Sequence, residues 1–308
     1  MSRQRVTSIV KSNLDLWLND LFLKDGLFHT ISLGETDIYG QDLSQLTPVS
    51  DEDFADGCVW QSHFKSWVHE SGIIPSDTGI VPPILPTGIV VAGTFYPQDS
   101  SHPQYVAALS HHFDFPNGRV ILDTPLSTSS GMQVAFSHKT VTVEFANSYE
   151  NESKDLYIET SHKDNPYQTG VLSYPTKNQR TLPMVLINMV GRQNDAYELG
   201  SASNVAVLNG AFQIWTREPY LLDTLNDLIS QQEHVVLIGI DFNTAPQPLD
   251  FYGDKNPSYT SYGNLANEWG EHFYKRIYID ELRLVQVPPL MNIERSRINF
   301  TIRVYPNF

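Results

Sequence analysis

The sequence predicts an α+β chain: an N-terminal helix, a small antiparallel β domain, and a C-terminal mixed sheet with one helix packed across it. Three observations carry this. Apolar residues near the N-terminus recur at three- and four-residue spacing. From about residue 80 the pattern becomes short β-type runs broken by Gly, Pro, Asn and Ser. From residue 183, strands and a single helix follow in the order β-β-α-β-β-β, which builds one sheet with a helix on one face.

The first stripe is Val6, Ile9, Val10, Leu14, Trp17, Leu18 and Leu21, with Gly26 as a stop just past it. It serves either as a core-packing face or as an arm on a neighbouring subunit; in the second case Trp17 and Leu21 are contact residues. Residues up to 79 then read as an irregular arm, punctuated by Gly34, Gly40, Pro48, Gly57, Gly72, Pro75 and Gly79. Within it Trp60, Phe64, Trp67 and Val68 have the spacing of one short helix.

The β domain is expected over 80–150. Its clearest signal is Asn117-Gly118, which favours a hairpin because both residues accept positive φ. The flanking run SHHFDFPNGRVILD also holds two His and two Asp, as a metal site would. Strand alternation argues against that reading, because His111 and His112 point to opposite faces. A pairing of His111 with Asp123 across the hairpin remains compatible with it. A polar connector follows over 151–182, with one short strand, LYIET.

The C-terminal domain is expected over 183–308. Thr216 is the expected N-cap of a helix over 217–233, with Glu218 in its first turn. Leu221, Leu225 and Leu228 form its stripe, and Leu222 and Ile229 widen it. In the last strand Ile298, Phe300, Ile302 and Val304 alternate with Asn299, Thr301 and Arg303, the pattern of a half-buried strand. A loop of about 25 residues is too long to be idle in a compact domain. The loop that carries Tyr252, Tyr259, Tyr262 and Trp269 reads as a stacking platform or, the favoured reading, as a surface buried against a neighbouring subunit.

Chemistry is hard to find. There are 35 acidic and 20 basic residues, a formal charge of −15, and no Lys/Arg run of the kind that grips phosphates. Glycine-rich phosphate loops, H-E-x-x-H and G-x-S-x-G are absent. The single cysteine, Cys58, excludes an intrachain disulfide and reads as buried. His63 and His69 stand six apart and diverge on a helix. Asp241, Asp250 and Asp254 read as solvated acids rather than a glycosidase pair. The acids at Asp37, Asp42 and 51–56 lack a calcium-loop pattern. No catalytic residue, metal or cofactor is expected. The N-terminus lacks the apolar core of a signal peptide, and no stretch is long enough to span a bilayer, so folding in a cytosol is expected.

Several short motifs occur in a familiar order: W-V-x-E-S-G after the first helix, F-x-x-G-R-V at the hairpin, L-P-x-V-x-I, E-L-G, then Q-I-W-T-R-E-P-Y-L-L-D-x-L. This order resembles the virion structural proteins at the neck of tailed bacteriophages, and the C-terminal part is similar to tail-terminator and tail-completion domains. The resemblance covers most of the chain as an order of elements and supplies no catalytic residues. It equates the helix over 217–233, and the strand over 204–216 before it, with elements of the terminator domain. It implies a homo-oligomeric ring, expected to be a hexamer, that joins neck and tail proteins and lets genomic DNA pass without specific binding. Leu221, Leu225 and the loop aromatics are then interface candidates. The β domain at 80–150 departs from minimal terminators. Other virion roles, an adaptor or a baseplate subunit, fit the same residues. A carbohydrate-binding tail protein is a further alternative; it requires a carboxylate pair facing a groove lined by Tyr252, Tyr259 or Trp269.

Overall fold

The computed structural model describes residues 5–145, 182–196, 204–267, 269–290 and 293–305. Nearly all of the expected connector, with its LYIET strand, lies outside these residues, as does E-L-G.

Helix α1 spans Arg5–Lys24. The strands that follow are β1 (Phe28–Ile31), β2 (Gln45–Pro48), β3 (Val59–Gln61), β4 (Gly88–Val91), β5 (Thr94–Pro97), β6 (His111–Asp114), β7 (Arg119–Leu122), β8 (Met132–Gln133), β9 (Phe136–Lys139) and β10 (Thr142–Phe145). The C-terminal part contains β11 (Met184–Ala196), β12 (Asn204–Thr216), helix α2 (Pro219–Ser230), β13 (Val236–Ile240), the short helix α3 (Tyr262–Leu265), β14 (Phe273–Leu290) and β15 (Ile293–Val304). The expected β-β-α-β-β-β order from residue 183 is present.

Two main sheets result. The larger has the order β10-β11-β12-β15-β14-β13, and the smaller β5-β4-β8-β2-β3-β7-β6, with β1 and β9 paired beside it. Neither sheet respects the domain limits read from the sequence. β2 and β3, from the expected arm, are interior strands of the smaller sheet, with β2 between β8 and β3. They are held there because Leu46, Trp60, Trp67, Phe113, Phe115, Val120 and Phe136 share one apolar cluster. β10, from the expected β domain, instead joins the larger sheet parallel to β11.

α1 is a core helix and not an outward arm. Val10, Leu14, Trp17 and Leu18 are buried in one cluster with Leu208, Phe212, Leu225, Ile229 and Ile279. α1 and α2 thus cover the same face of the larger sheet. Asn13 adds a polar clasp: its amide donates to Ile240 O (3.0 Å) and its Oδ1 accepts from Ile240 N–H (2.7 Å). Tyr262 likewise donates to Ile238 O. These side chains occupy the outer edge of β13, which would otherwise offer an open template for pairing. Asn13→Leu therefore strands two buried backbone groups, and urea unfolding should show a loss of about 2 kcal/mol.

The run from Trp60 to Gly72 is not a helix. Ser66 has φ 55°, and the amides of Ser66, Trp67 and Val68 donate to Pro116 O, Phe115 O and Ser137 O. These cross-chain bonds replace the i−4 ladder, and they seat Trp67 against Phe113, Phe115 and Phe136.

The hairpin is where Asn117-Gly118 placed it, with a four-residue loop over 115–118 and Asp114 opposite Arg119. Only Gly118 takes positive φ (63°), and a Cβ there would collide with the Phe64 carbonyl. Gly118→Ala should cost about 1–3 kcal/mol, read from the denaturation midpoint.

α2 begins two residues later than expected. Glu218 is its N-cap, without a side-chain capping bond, and Pro219 opens the helix. Thr216 is the last residue of β12, and its hydroxyl accepts from Glu218 N–H at 3.1 Å. The alternation in the last strand is as expected, with Ile298, Phe300, Ile302 and Val304 buried.

Candidate assembly surfaces

The long loop between β13 and β14, residues 241–272, docks on its own chain. It runs as a strap from the larger sheet to the smaller one. Phe115 N–H donates to Gly253 O and Ser71 N–H to Thr260 O. Lys255 Nζ reaches Ser71 Oγ, Gln98 bonds Asp254, and Gly263 N–H meets Asp20 Oδ1. This corrects the expectation that the loop's aromatics as a group face a neighbouring subunit. Tyr259 is fully buried and Tyr262 nearly so, both in the core that α1 packs against. The strap is long because it must bridge two sheets.

The other interface candidates divide in the same way. Trp17 and Leu225 are buried within the chain, and Leu21 and Leu221 are half-buried against the same core. Tyr252 is half-exposed and stacks on His112, ring centroids 5.1 Å apart. Trp269 is exposed and tilts over Phe273. Sequence reasoning overlooked further exposed aromatics, among them Phe251 in the strap and Tyr220 in the first turn of α2. A stripe count could not separate Tyr220 from the inward residues beside it.

His112, rather than His111, faces Asp123. Its Nε2 lies 3.7 Å from Asp123 Oδ1, and its Nδ1 lies 3.4 Å from Asp254 Oδ2. His111 is buried, with Nδ1 2.8 Å from Leu109 O. Strand alternation puts one histidine on each face, and the strap supplies the second carboxylate. Burial raises the Asp254 carboxyl above its ordinary range. Among the described residues, no three His, Cys, Asp or Glu side chains group so as to hold a metal ion. Cys58 is buried and free.

A buried ion network lies where α1, β9 and the strap meet. Lys139 Nζ donates to Glu70 Oε1 at 2.6 Å and to Asn19 Oδ1 at 2.9 Å. Asn19 in turn donates to Asp15 Oδ1 at 3.2 Å. His69 Nε2 is 3.4 Å from Glu70 Oε1, and its ring approaches Tyr259. Burial opposes ionisation of Glu70, but the charges of His69 and Lys139 override it and hold the carboxyl at about 2. Burial drives His69 down to about 4, so at neutral pH Lys139 is the cation that holds Glu70 ionised. Burial pushes Asp15 the other way, up to about 7. Tyr259 is raised by its burial and by the nearby carboxylates. The group pins the helix to β9. Lys139 reaches back 69 residues to Glu70 and 120 to Asn19, so no local pattern announces the network.

On the face of the larger sheet opposite α1 and α2, Met184, Leu186, Trp215 and Ile293 form a second buried apolar cluster, whereas Asn209, Glu281 and Arg283 are exposed. The same face holds a shallow groove of about 380 Å³, lined by Val190, Asn209, Gly210, Glu281, Arg283, Arg297, Asn299 and Thr301. Residues 273–304 contain six basic and three acidic residues; the rest of the chain has fourteen and thirty-two, a balance of −18. This corrects the reading that no basic cluster exists. Alternation hides it, because Arg295, Arg297 and Arg303 are separated by the inward Ser296, Ile298, Phe300 and Ile302.

No helix among the described residues is long and apolar enough to cross a membrane. No protein-family model matches the sequence, and a search of curated proteins finds no match.

Proposed function

We propose that the chain is a structural subunit of the neck of a tailed bacteriophage, building a homo-oligomeric ring of the tail-terminator or tail-completion kind through which DNA passes. The observation that supports this reading is the C-terminal layer: two long strands, a helix, and three more strands in one sheet, with the helix on one face and a groove on the other. The groove on that face and exposed aromatics at Phe251, Tyr252 and Trp269 supply surfaces for copies and for adjoining neck and tail proteins. The acidic remainder of the chain suits a bore from which phosphates slide away.

The carbohydrate reading gains no such support. It calls for a carboxylate pair facing a groove lined by Tyr252, Tyr259 or Trp269; Tyr259 is buried, and none of the three lines the groove on the larger sheet. An antibody raised to the purified chain tests the proposal on intact particles. Label confined to the head–tail junction is the expected result; label on fibres, or none on purified virions, contradicts it.

A further inference from the structure

The proposed ring needs a junction between copies, and the charge pattern of the chain indicates one. We propose that the arginine groove on the face of the larger sheet opposite α1 and α2 receives the acidic loop 51–56 of a second copy of this chain. This rests on the ring reading and specifies its contact.

The groove is built for carboxylates. Arg283 and Arg297 line it against one carboxylate, Glu281, and neither arginine forms an ion pair among the described residues. Arg297 Nε is engaged by Asn299 Oδ1 at 2.8 Å, which steadies the guanidinium. Arginine's planar fork meets carboxylates in pairs of parallel bonds. Val190 and Val285 are exposed on the same stretch of sheet, Val285 directly opposite Arg297 in register. Apolar side chains beside the arginines favour a protein occupant over a phosphate backbone. A nucleic acid would also meet the strongly acidic remainder of the chain.

The loop is built to be presented. It joins β2 to β3 and carries four acids in six residues, of which Glu52, Asp53 and Asp56 are exposed. Its base is fixed. Val49 N–H donates to Val59 O, and Arg119 Nη1 pairs with Asp51 Oδ2 at 2.9 Å. Ser50 Oγ bonds Asp56 Oδ1. A loop held in one shape loses little freedom on docking. Groove and loop are different surfaces, so the contact is head-to-tail. Such a contact closes into a ring or continues as a filament.

Native mass spectrometry at micromolar concentration tests this with two variants, Arg283→Glu/Arg297→Glu and Glu52→Lys/Asp53→Lys/Asp56→Lys. The wild-type chain should assemble at low salt and dissociate as salt rises. Each variant alone should associate about a hundredfold or more weakly. Mixed, the two variants should assemble again, because the native loop meets the native groove at one junction and the lysine loop meets the glutamate groove at the next. Circular dichroism checks folding, and Arg283→Gln/Arg297→Gln is the milder substitute if charge reversal disrupts the sheet. Rings that persist in the arginine variant overturn this junction and leave the ring itself standing. A wild-type chain that stays monomeric overturns the junction. So does arginine-dependent binding of a short DNA duplex with self-association unaffected, which would assign the groove to a polyanion.

Discussion

Lys139→Met lowers the unfolding free energy by about 3–5 kcal/mol, seen as a lower urea midpoint at an unchanged denaturant slope. The variant leaves Glu70 without its 2.6 Å partner in a site that is 1% exposed. A buried carboxylate with no cation must take up a proton or admit water, and both cost stability. The methionine is of similar length, so lost packing contributes little. The same variant frees Asn19 and Asp15 from the network, loosening α1 from β9. Glu70→Met in the Lys139→Met background should restore much of the loss, because two apolar groups replace a charge pair. If the single variant unfolds like the wild type, the ion pair does not hold the junction of helix and sheet.

Acid is the second strong perturbation. His69 and His138 are both buried and held down to about 4. In the unfolded chain they protonate near 6.5. Between those values the unfolded state binds more protons, so stability falls as pH drops, by about 2–3 kcal/mol for each histidine. Asp15 acts in the opposite sense. Its folded value of about 7 lies above its unfolded one, so its contribution is present at low pH and is lost as pH rises through 7. The wild type should therefore lose stability only moderately from pH 6.5 to 4. Asp15→Asn removes the compensation: its loss over that window should be steeper, and it should be more stable than wild type at pH 8. Below about 4.5 protonation of Glu70 adds a further loss, extending toward pH 2. Urea titrations at half-unit steps of pH read all three slopes. His69→Asn/His138→Asn in the Asp15→Asn background should flatten the window between 6.5 and 4. A steep slope in that triple variant would assign the acid sensitivity to other groups.

How much of this was legible in the residues depends on the range over which each pattern acts. α1, α2 and the long strands carry their own periodicity, so their existence and order could be read directly. β15 is the clearest case, because one face is buried and the other only partly so. β2, β3 and β8 have four, three and two residues, too short for periodicity to show. Their positions are set by partners 60 to 90 residues away, which is why a sheet was read as an irregular arm. Trp60, Phe64 and Trp67 sit at helical spacing by coincidence of packing: three turns of irregular chain bring them to one apolar cluster.

The site residues follow the same division. Tyr and Trp on a long loop signal burial of some kind, and burial within the chain leaves the same sequence trace as burial between chains. Tyr259 and Tyr262 took the first course, whereas Phe251 and Trp269 stayed at the surface. The arginine face was hidden by strand alternation, and the network of Asp15, Glu70 and Lys139 by distance along the chain. Both became visible only when strand register and the path of the strap were known.

Electron microscopy of the purified chain tests the central claim most directly. The account predicts end-on views of closed rings with a central opening and one uniform copy number. Isolated monomers at every protein concentration and salt condition, with no ring in the field, would contradict it.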